Sequence, residues 1–284
     1  MDSEPRPPVD RTAAIDLCLS SEVTWEVLAV RQGTLATRRS HVFLNNDLYG
    51  EPDADLLMAY SFWVLRSGDR VVLIDTGMSE HGARSRGRGY ERSTTAALAQ
   101  LGIVAGGVSL IVVSHAHYDH LGGLAELPGR PVVMSGVEYA FWRTPLSRRP
   151  LLRSVVDDAD LAQLDAVAAA GMLTLTAGVH EAAPGVVLLP TPGHTPGELS
   201  VLVRTSAGVV ALACDAAHLD EELERDLPFR HQTDLLAMYH SLALLRAVGD
   251  HPAVTKVVTG HDPLVQERHP SLPGLAHVAV VAEG

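Results

Sequence analysis

The segment Ser114-His115-Ala116-His117-Tyr118-Asp119-His120 sets three imidazoles and a carboxylate within six residues. These are the side chains that bind zinc and comparable divalent ions. A bound ion lowers the pKa of its water to about 7 in single-zinc sites and polarises a carbonyl, so the chemistry this cluster suggests is hydrolysis. One segment does not complete such a centre. The remaining ligands must come from elsewhere in the chain, delivered by elements that end at the same place.

The predicted strands supply them. A short, almost wholly apolar strand over 109–113 runs straight into the histidine cluster. A strand over 71–74 ends in Asp75-Thr76-Gly77, and one over 186–189 ends in Pro190-Thr191-Pro192-Gly193-His194-Thr195-Pro196-Gly197. A strand over 208–213 ends in Cys214-Asp215-Ala216-Ala217-His218, and one over 256–259 ends in Gly260-His261-Asp262-Pro263. Loops at strand ends are where a layered fold gathers functional groups. Five strand ends with this chemistry are a stronger signal than one motif.

The rest of the pattern fills in the scaffold. Further strands are expected over 25–30, 60–65, 131–134, 173–175 and 199–203. The strand over 60–65 pairs with 70–74 as a hairpin through Ser67-Gly68-Asp69. Helices are expected over 93–101, closed by Gly102, and over 136–142, 157–169 and 234–248. Residues 45–58 read as a long loop that could cover the site or mediate dimerisation. Strands followed by helices, twice over, with no repeat or linker, predict two face-to-face sheets with helices outside. Residues 21–284 form one domain of this αββα kind. Residues 1–20, acidic and proline-rich at the start, form a disordered lead-in without the apolar stretch of a signal peptide.

Composition narrows the functions. The chain has 284 residues, 46% hydrophobic content and a net charge of −12. That is ample for a large core and unsuited to nucleic acid, since the only basic run is the short Arg84-Ser85-Arg86-Gly87-Arg88. Two cysteines, Cys18 and Cys214, exclude a disulfide framework. No apolar run reaches the length of a membrane span. The expected location is the cytoplasm and the expected partner a small molecule.

At these motifs the chain resembles the metallo-β-lactamase superfamily. The matching residues are Asp75-Thr76-Gly77, the His115, His117, Asp119, His120 cluster, Gly193-His194-Thr195 with Gly197, Asp215, and Gly260-His261, in the family's order. The resemblance implies an αβ/βα four-layer sandwich (α/β class) with two divalent metal ions, zinc first and iron, manganese or cobalt as alternatives. It places His115, His117 and His194 on one metal, and Asp119, His120 and His261 on the other. Asp215 bridges them and Asp75 orients the site from behind. Within the superfamily the spacing is closest to the N-acyl homoserine lactonase branch. That implies attack of a metal-bridging hydroxide on a lactone carbonyl, with Asp119 or a metal-bound water passing a proton to the departing alkoxide. A homodimer also follows from the resemblance.

One position departs from that branch. Its members carry a tyrosine three residues after the bridging Asp, against the substrate carbonyl, where this chain has His218. An imidazole there could donate to the developing oxyanion or serve structure alone. Cys214 is expected to be a buried structural thiol, because simple alternation turns it away from Asp215. Met58, Tyr60, Phe62, Tyr118, Phe141, Trp142 and Phe229 lie near the predicted site loops and are candidates for an apolar substrate pocket. The eight other histidines, His41 and His231 among them, carry no motif. Rival activities on the same scaffold are hydrolysis of another ester, a thioester or a β-lactam. An iron-dependent dioxygenase is disfavoured, because it would keep one metal while the second ligand set here is complete.

Overall fold

The computed structural model describes residues 9–284. Among the described residues the strands form two sheets. The larger has eight strands in the order β12-β13-β1-β2-β3-β4-β5-β6: β12 (Ser271–Leu272), β13 (Leu275–Ala282), β1 (Glu26–Arg38), β2 (Asp55–Ser67), β3 (Arg70–Ile74), β4 (Leu110–Val113), β5 (Val132–Ser135) and β6 (Leu173–Thr176). The smaller runs β11-β10-β9-β8-β7: β11 (Val254–Thr259), β10 (Gly208–Cys214), β9 (Leu199–Thr205), β8 (Val186–Pro190) and β7 (His180–Ala183).

Side-chain alternation along the strands builds three apolar layers. Val27, Ala29, Trp63 and Leu65 point between the sheets, meeting Val186, Leu188, Val201 and Leu212. Their neighbours Leu28, Val30, Phe62 and Val64 point outward, under Leu98 of helix Thr94–Gln100 and Leu161 and Leu164 of helix Asp158–Ala169. On the far side Val187, Leu189, Leu202 and Ala211 meet Val248 of helix Leu235–Gly249. The four layers are those expected, and the 60–65 to 70–74 hairpin forms with Trp63 opposite Ile74.

Three expectations need correction. The lead-in does not extend to residue 20. Residues 1–8 lie outside the described residues, but Arg11–Leu19 is a helix capped by Asp10, with Ala14, Ile15 and Cys18 buried on the small sheet. A nine-residue helix with a narrow apolar stripe gives little periodic signal. The 45–58 loop is shorter than expected, because β2 begins at Asp55 and pairs with the distal half of β1. A register shift between Arg31 and Gly33 lets that long hairpin bend beyond the core. The C-terminal strand β13, pairing with β1, was missed altogether.

The edge that carries the site is set by direction. β3 and β4 are parallel, as are β10 and β11, and β8 runs with β10 because each is antiparallel to β9. Their C-terminal ends therefore deliver Asp75, His115, His194, Asp215 and His261 from neighbouring loops.

Candidate metal centre

Two strand ends turn sharply. Asp75 and Cys214 are non-glycine residues in the left-handed region, with φ of 64° and 49°. Such backbone is costly and persists where surrounding contacts over-determine it. At Asp75 the contacts are visible. Its Oδ1 accepts from the Ser114 amide at 2.7 Å, and its Oδ2 accepts from Ser114 Oγ at 2.8 Å and from His120 Nδ1 at 2.7 Å. At Cys214 the turn carries the chain from the apolar layer, where its thiol is buried as expected, to Asp215 in the site. Gly193 and Gly260 permit close approach. A Cβ on the first would stand 2.4 Å from the Met238 amide nitrogen, and on the second 2.6 Å from the Cys214 carbonyl.

The seven residues expected as ligands come together, and all are at least nine-tenths buried. Two triads share no residue. His115, His117 and His194 form one, Asp119, His120 and His261 the other, with ligand atoms in each within 4.8 Å of one another. Asp215 lies between them. Its Oδ2 is 3.8 Å from His115 Nε2 and 3.4 Å from His194 Nε2. Its Oδ1 is 3.3 Å from His120 Nε2 and 3.1 Å from His261 Nε2. His261 Nε2 also lies 3.2 Å from Oδ2, so the Asp215 carboxylate faces imidazoles of both triads.

The tautomers follow from the outer contacts. His194 Nδ1 lies 2.8 Å from the His231 carbonyl, and His261 Nδ1 lies 2.8 Å from the Ala59 carbonyl. A carbonyl only accepts, so each Nδ1 carries the proton and each Nε2 offers a lone pair inward. His120 is held likewise by Asp75, and His115 Nδ1 lies 3.2 Å from Glu198 Oε2. These are the outer carboxylate and carbonyl contacts that orient metal-binding imidazoles. His117 reverses the pattern: its Nδ1 faces His194 Nε2 at 3.0 Å, too close for two N–H groups.

The residues fit divalent ions. His115 Nε2, His120 Nε2 and Asp215 Oδ1 are buried and make no aligned hydrogen bond. An orphaned polar atom in a buried site is costly without a partner, and here several aim at common points. Burial, reinforced by the other imidazoles, drives the pKa of His115, His117 and His194 well below the usual histidine value, leaving neutral ligands. Burial also opposes charge on His120 and on Asp215. The carboxylates of Asp215, Asp75 and Asp119 nevertheless hold His120 well above its usual value, and His120, His261 and His218 hold Asp215 well below.

His218 is also in the cluster. It is buried, with Nε2 3.2 Å from Asp215 Oδ2 and Nδ1 3.4 Å from Glu222 Oε1. Burial disfavours its charge, but Asp215 and Glu222 outweigh it and push the pKa up to about 9.

A cavity of about 970 Å³ adjoins the centre, walled by Leu35, Val42, Leu56, Met58, Tyr60, Arg88 and Phe229. Tyr60 meets His261 edge-on with ring centroids 5.0 Å apart, and Phe229 stacks on His218 at 3.5 Å. Of the expected pocket residues, Met58, Tyr60 and Phe229 line this space. Tyr118 is buried behind Tyr60, and Trp142 packs 5.8 Å from the His117 ring with its indole on Glu138. Phe62 and Phe141 belong elsewhere. Phe62 shares the side of β2 that faces the outer helices, and Phe141 packs on the same core.

The sequence reading missed the supporting carboxylates. Glu138, wholly buried, accepts from the amides of Ala116 and Gly197 and from Trp142 Nε1, tying the first histidine loop to the second. Glu198 accepts from the Asp215 amide while facing His115. Their one visible sign was an acid set among apolar or glycine-rich neighbours.

An edge of buried His and Asp side chains that could hold metal ions, on a four-layer αββα sandwich, defines the class. A sequence profile of the metallo-beta-lactamase superfamily matches residues 57–261, and the chain belongs to that superfamily. It is 28% identical over 221 residues to an N-acyl homoserine lactonase from a Bacillus species, an alignment covering 72% of this chain and 82% of that one. In three dimensions it is similar to a quorum-quenching N-acyl homoserine lactone lactonase, with a TM-score of 0.74 and 23% identity over 89% of this chain and 98% of the other. It is also similar to AidC, a dizinc quorum-quenching lactonase, with a TM-score of 0.67 and 20% identity over 85% and 89%. Among the described residues no helix is long and apolar enough to cross a membrane.

Proposed function

We propose that this protein is a dinuclear metal-dependent hydrolase that opens lactone rings, with N-acyl homoserine lactones as the substrate class and zinc as the metal. The observation that carries the reading is the pair of separate ligand triads with Asp215 between them. Similarity to lactonases, one of them dizinc, supports both the substrate class and the metal.

His115, His117 and His194 would hold one ion, Asp119, His120 and His261 the other, and Asp215 both. Bound there, the ions would supply a hydroxide nucleophile at neutral pH and a Lewis acid for the ester carbonyl. The chain's own groups do the rest. His115, His120, His194 and His261, each held from behind by a carboxylate or a carbonyl, keep the geometry without reorganisation. Asp119, the most exposed of the seven, is placed to carry a proton to the departing alkoxide. Tyr60, kept protonated up to about 12 by burial and by Asp119, offers a hydroxyl donor at the cavity wall. Leu35, Leu56 and Met58 give an acyl chain an apolar surface. Ring opening adds water across the acyl C–O bond and yields a hydroxy carboxylate and one proton. Two buried free thiols, Cys18 and Cys214, support a cytoplasmic setting.

The test follows that proton during hydrolysis of N-acyl homoserine lactones, simple γ- and δ-lactones, a β-lactam and a thioester by zinc-loaded protein. The proposal expects acyl homoserine lactones to turn over with kcat/KM above about 10⁴ M⁻¹s⁻¹. Preference for the β-lactam or thioester would replace the substrate class.

A further inference from the structure

We infer that His218 is an additional metal ligand of this centre, held in place by Glu222; the inference rests on the two-metal reading above. Nothing in the shared motifs assigns this position to a metal, and the related branch carries tyrosine there. Three observations bear on it.

The first is convergence. His218 forms a group with His194 and Asp215 whose ligand atoms all lie within 4.8 Å, the same closeness found in the two triads. Neither of its ring nitrogens makes an aligned hydrogen bond, although the residue is wholly enclosed.

The second is the outer contact. His120 is backed by Asp75, His115 by Glu198, His194 by the His231 carbonyl and His261 by the Ala59 carbonyl. His218 is flanked in a similar way, though at a longer distance and without an aligned hydrogen bond. Its Nε2 faces Asp215, and its Nδ1 faces the buried carboxylate of Glu222. Glu222 is itself fixed, since Oε1 accepts from the His218 and Leu219 amides at 3.1 and 3.2 Å. A carboxylate behind an imidazole is the usual support of a metal-bound histidine.

The third is the ring plane. His218 lies between Phe229, stacked at 3.5 Å and 12°, and His261, at 5.4 Å and 18°. Phe229 lines the cavity and covers that face. The imidazole therefore presents an edge to Asp215 and the metals, not a face to the substrate. The added ligand falls on the His194 side of Asp215.

Cobalt(II) provides a probe independent of turnover. Loaded protein should bind two ions per chain and show paramagnetically shifted, exchangeable histidine ring N–H resonances. His218→Phe, which keeps a flat ring beside Phe229, should weaken one of the two ions about 10- to 100-fold or more, alter the d–d spectrum and remove one such resonance. Glu222→Gln should shift that resonance and weaken the same ion less. Two ions bound with unchanged affinity and spectrum in His218→Phe would overturn the inference and leave the two-metal reading standing. Fewer than two ions in the wild type would overturn both. If His218→Phe does not fold, the wild-type resonances decide: six support the added ligand, and five, from His115, His117, His120, His194 and His261, contradict it.

Discussion

The metal cradle and the cavity beside it occupy one edge of the fold but are held by different means. In the cradle nearly every imidazole is gripped from behind, by Asp75, Glu198, the His231 carbonyl or the Ala59 carbonyl, and the backbone accepts left-handed turns at Asp75 and Cys214 to present its ligands. The cavity wall draws on the distal halves of β1 and β2, beyond the register shift, together with Arg88 and Phe229. Its wall mixes apolar side chains such as Leu35, Leu56 and Met58 with Arg38, Asp55 and Arg88. The difference separates two tasks. Catalysis needs fixed groups of a few chemical types, and selectivity needs only a shape.

Changes in the cradle should therefore be severe and independent of the substrate. His115→Ala or Asp215→Ala should lower kcat/KM about 10³-fold or more, on the order of 4 kcal/mol of transition-state stabilisation, equally for short- and long-chain lactones. Metal analysis of the same variants should show lost ions. A chain-length-dependent loss would blur the distinction between the regions.

Metal removal probes the cradle's share of stability. Ions present at a hundred times their Kd stabilise the folded state by about 2.7 kcal/mol. Chelation should lower Tm by about 5 °C or more in a scanning calorimeter, reversed by zinc. An unchanged Tm would mean that no ion binds the folded state preferentially, against the converging unpaired atoms at His115, His120 and Asp215.

One layer further out the effects should shrink. Glu198→Gln keeps the shape but weakens the support behind His115, and metal affinity should fall about 10- to 100-fold in a competition titration with a chromophoric chelator. Activity at saturating zinc should recover most of the loss.

The cavity wall should give the smallest and most selective response. Leu35→Ala widens the wall and should raise KM by about 10-fold for long acyl chains, with kcat and metal content unchanged. Equal effects on all chain lengths would show that the acyl group does not lie there.

The same contrast explains what could be read from the sequence. The seven ligands were legible because metal chemistry admits few residue types and each followed an apolar strand, as His115 follows Val113 and Asp215 follows Cys214. The sandwich was legible from the order of the elements, strands followed by helices in each half of the chain. The supports were not, because Glu138 and Glu198 act through backbone amides far apart in sequence, and no local spacing encodes those contacts. The cavity was read in part. Met58, Tyr60 and Phe229 line it, but Phe62, two residues from Tyr60 on the same strand, packs into the core because β2 leaves the sandwich between them. His218 was singled out as a departure from the lactonase pattern, whereas its carboxylate support lay hidden four residues on.

The most direct test titrates metal-free protein with zinc while acyl homoserine lactone hydrolysis is followed by proton release. The two-metal account predicts that activity rises and levels off at two equivalents per chain, and that His115→Ala abolishes the response. Full lactone hydrolysis in the metal-free protein, or a plateau at one equivalent, would contradict it.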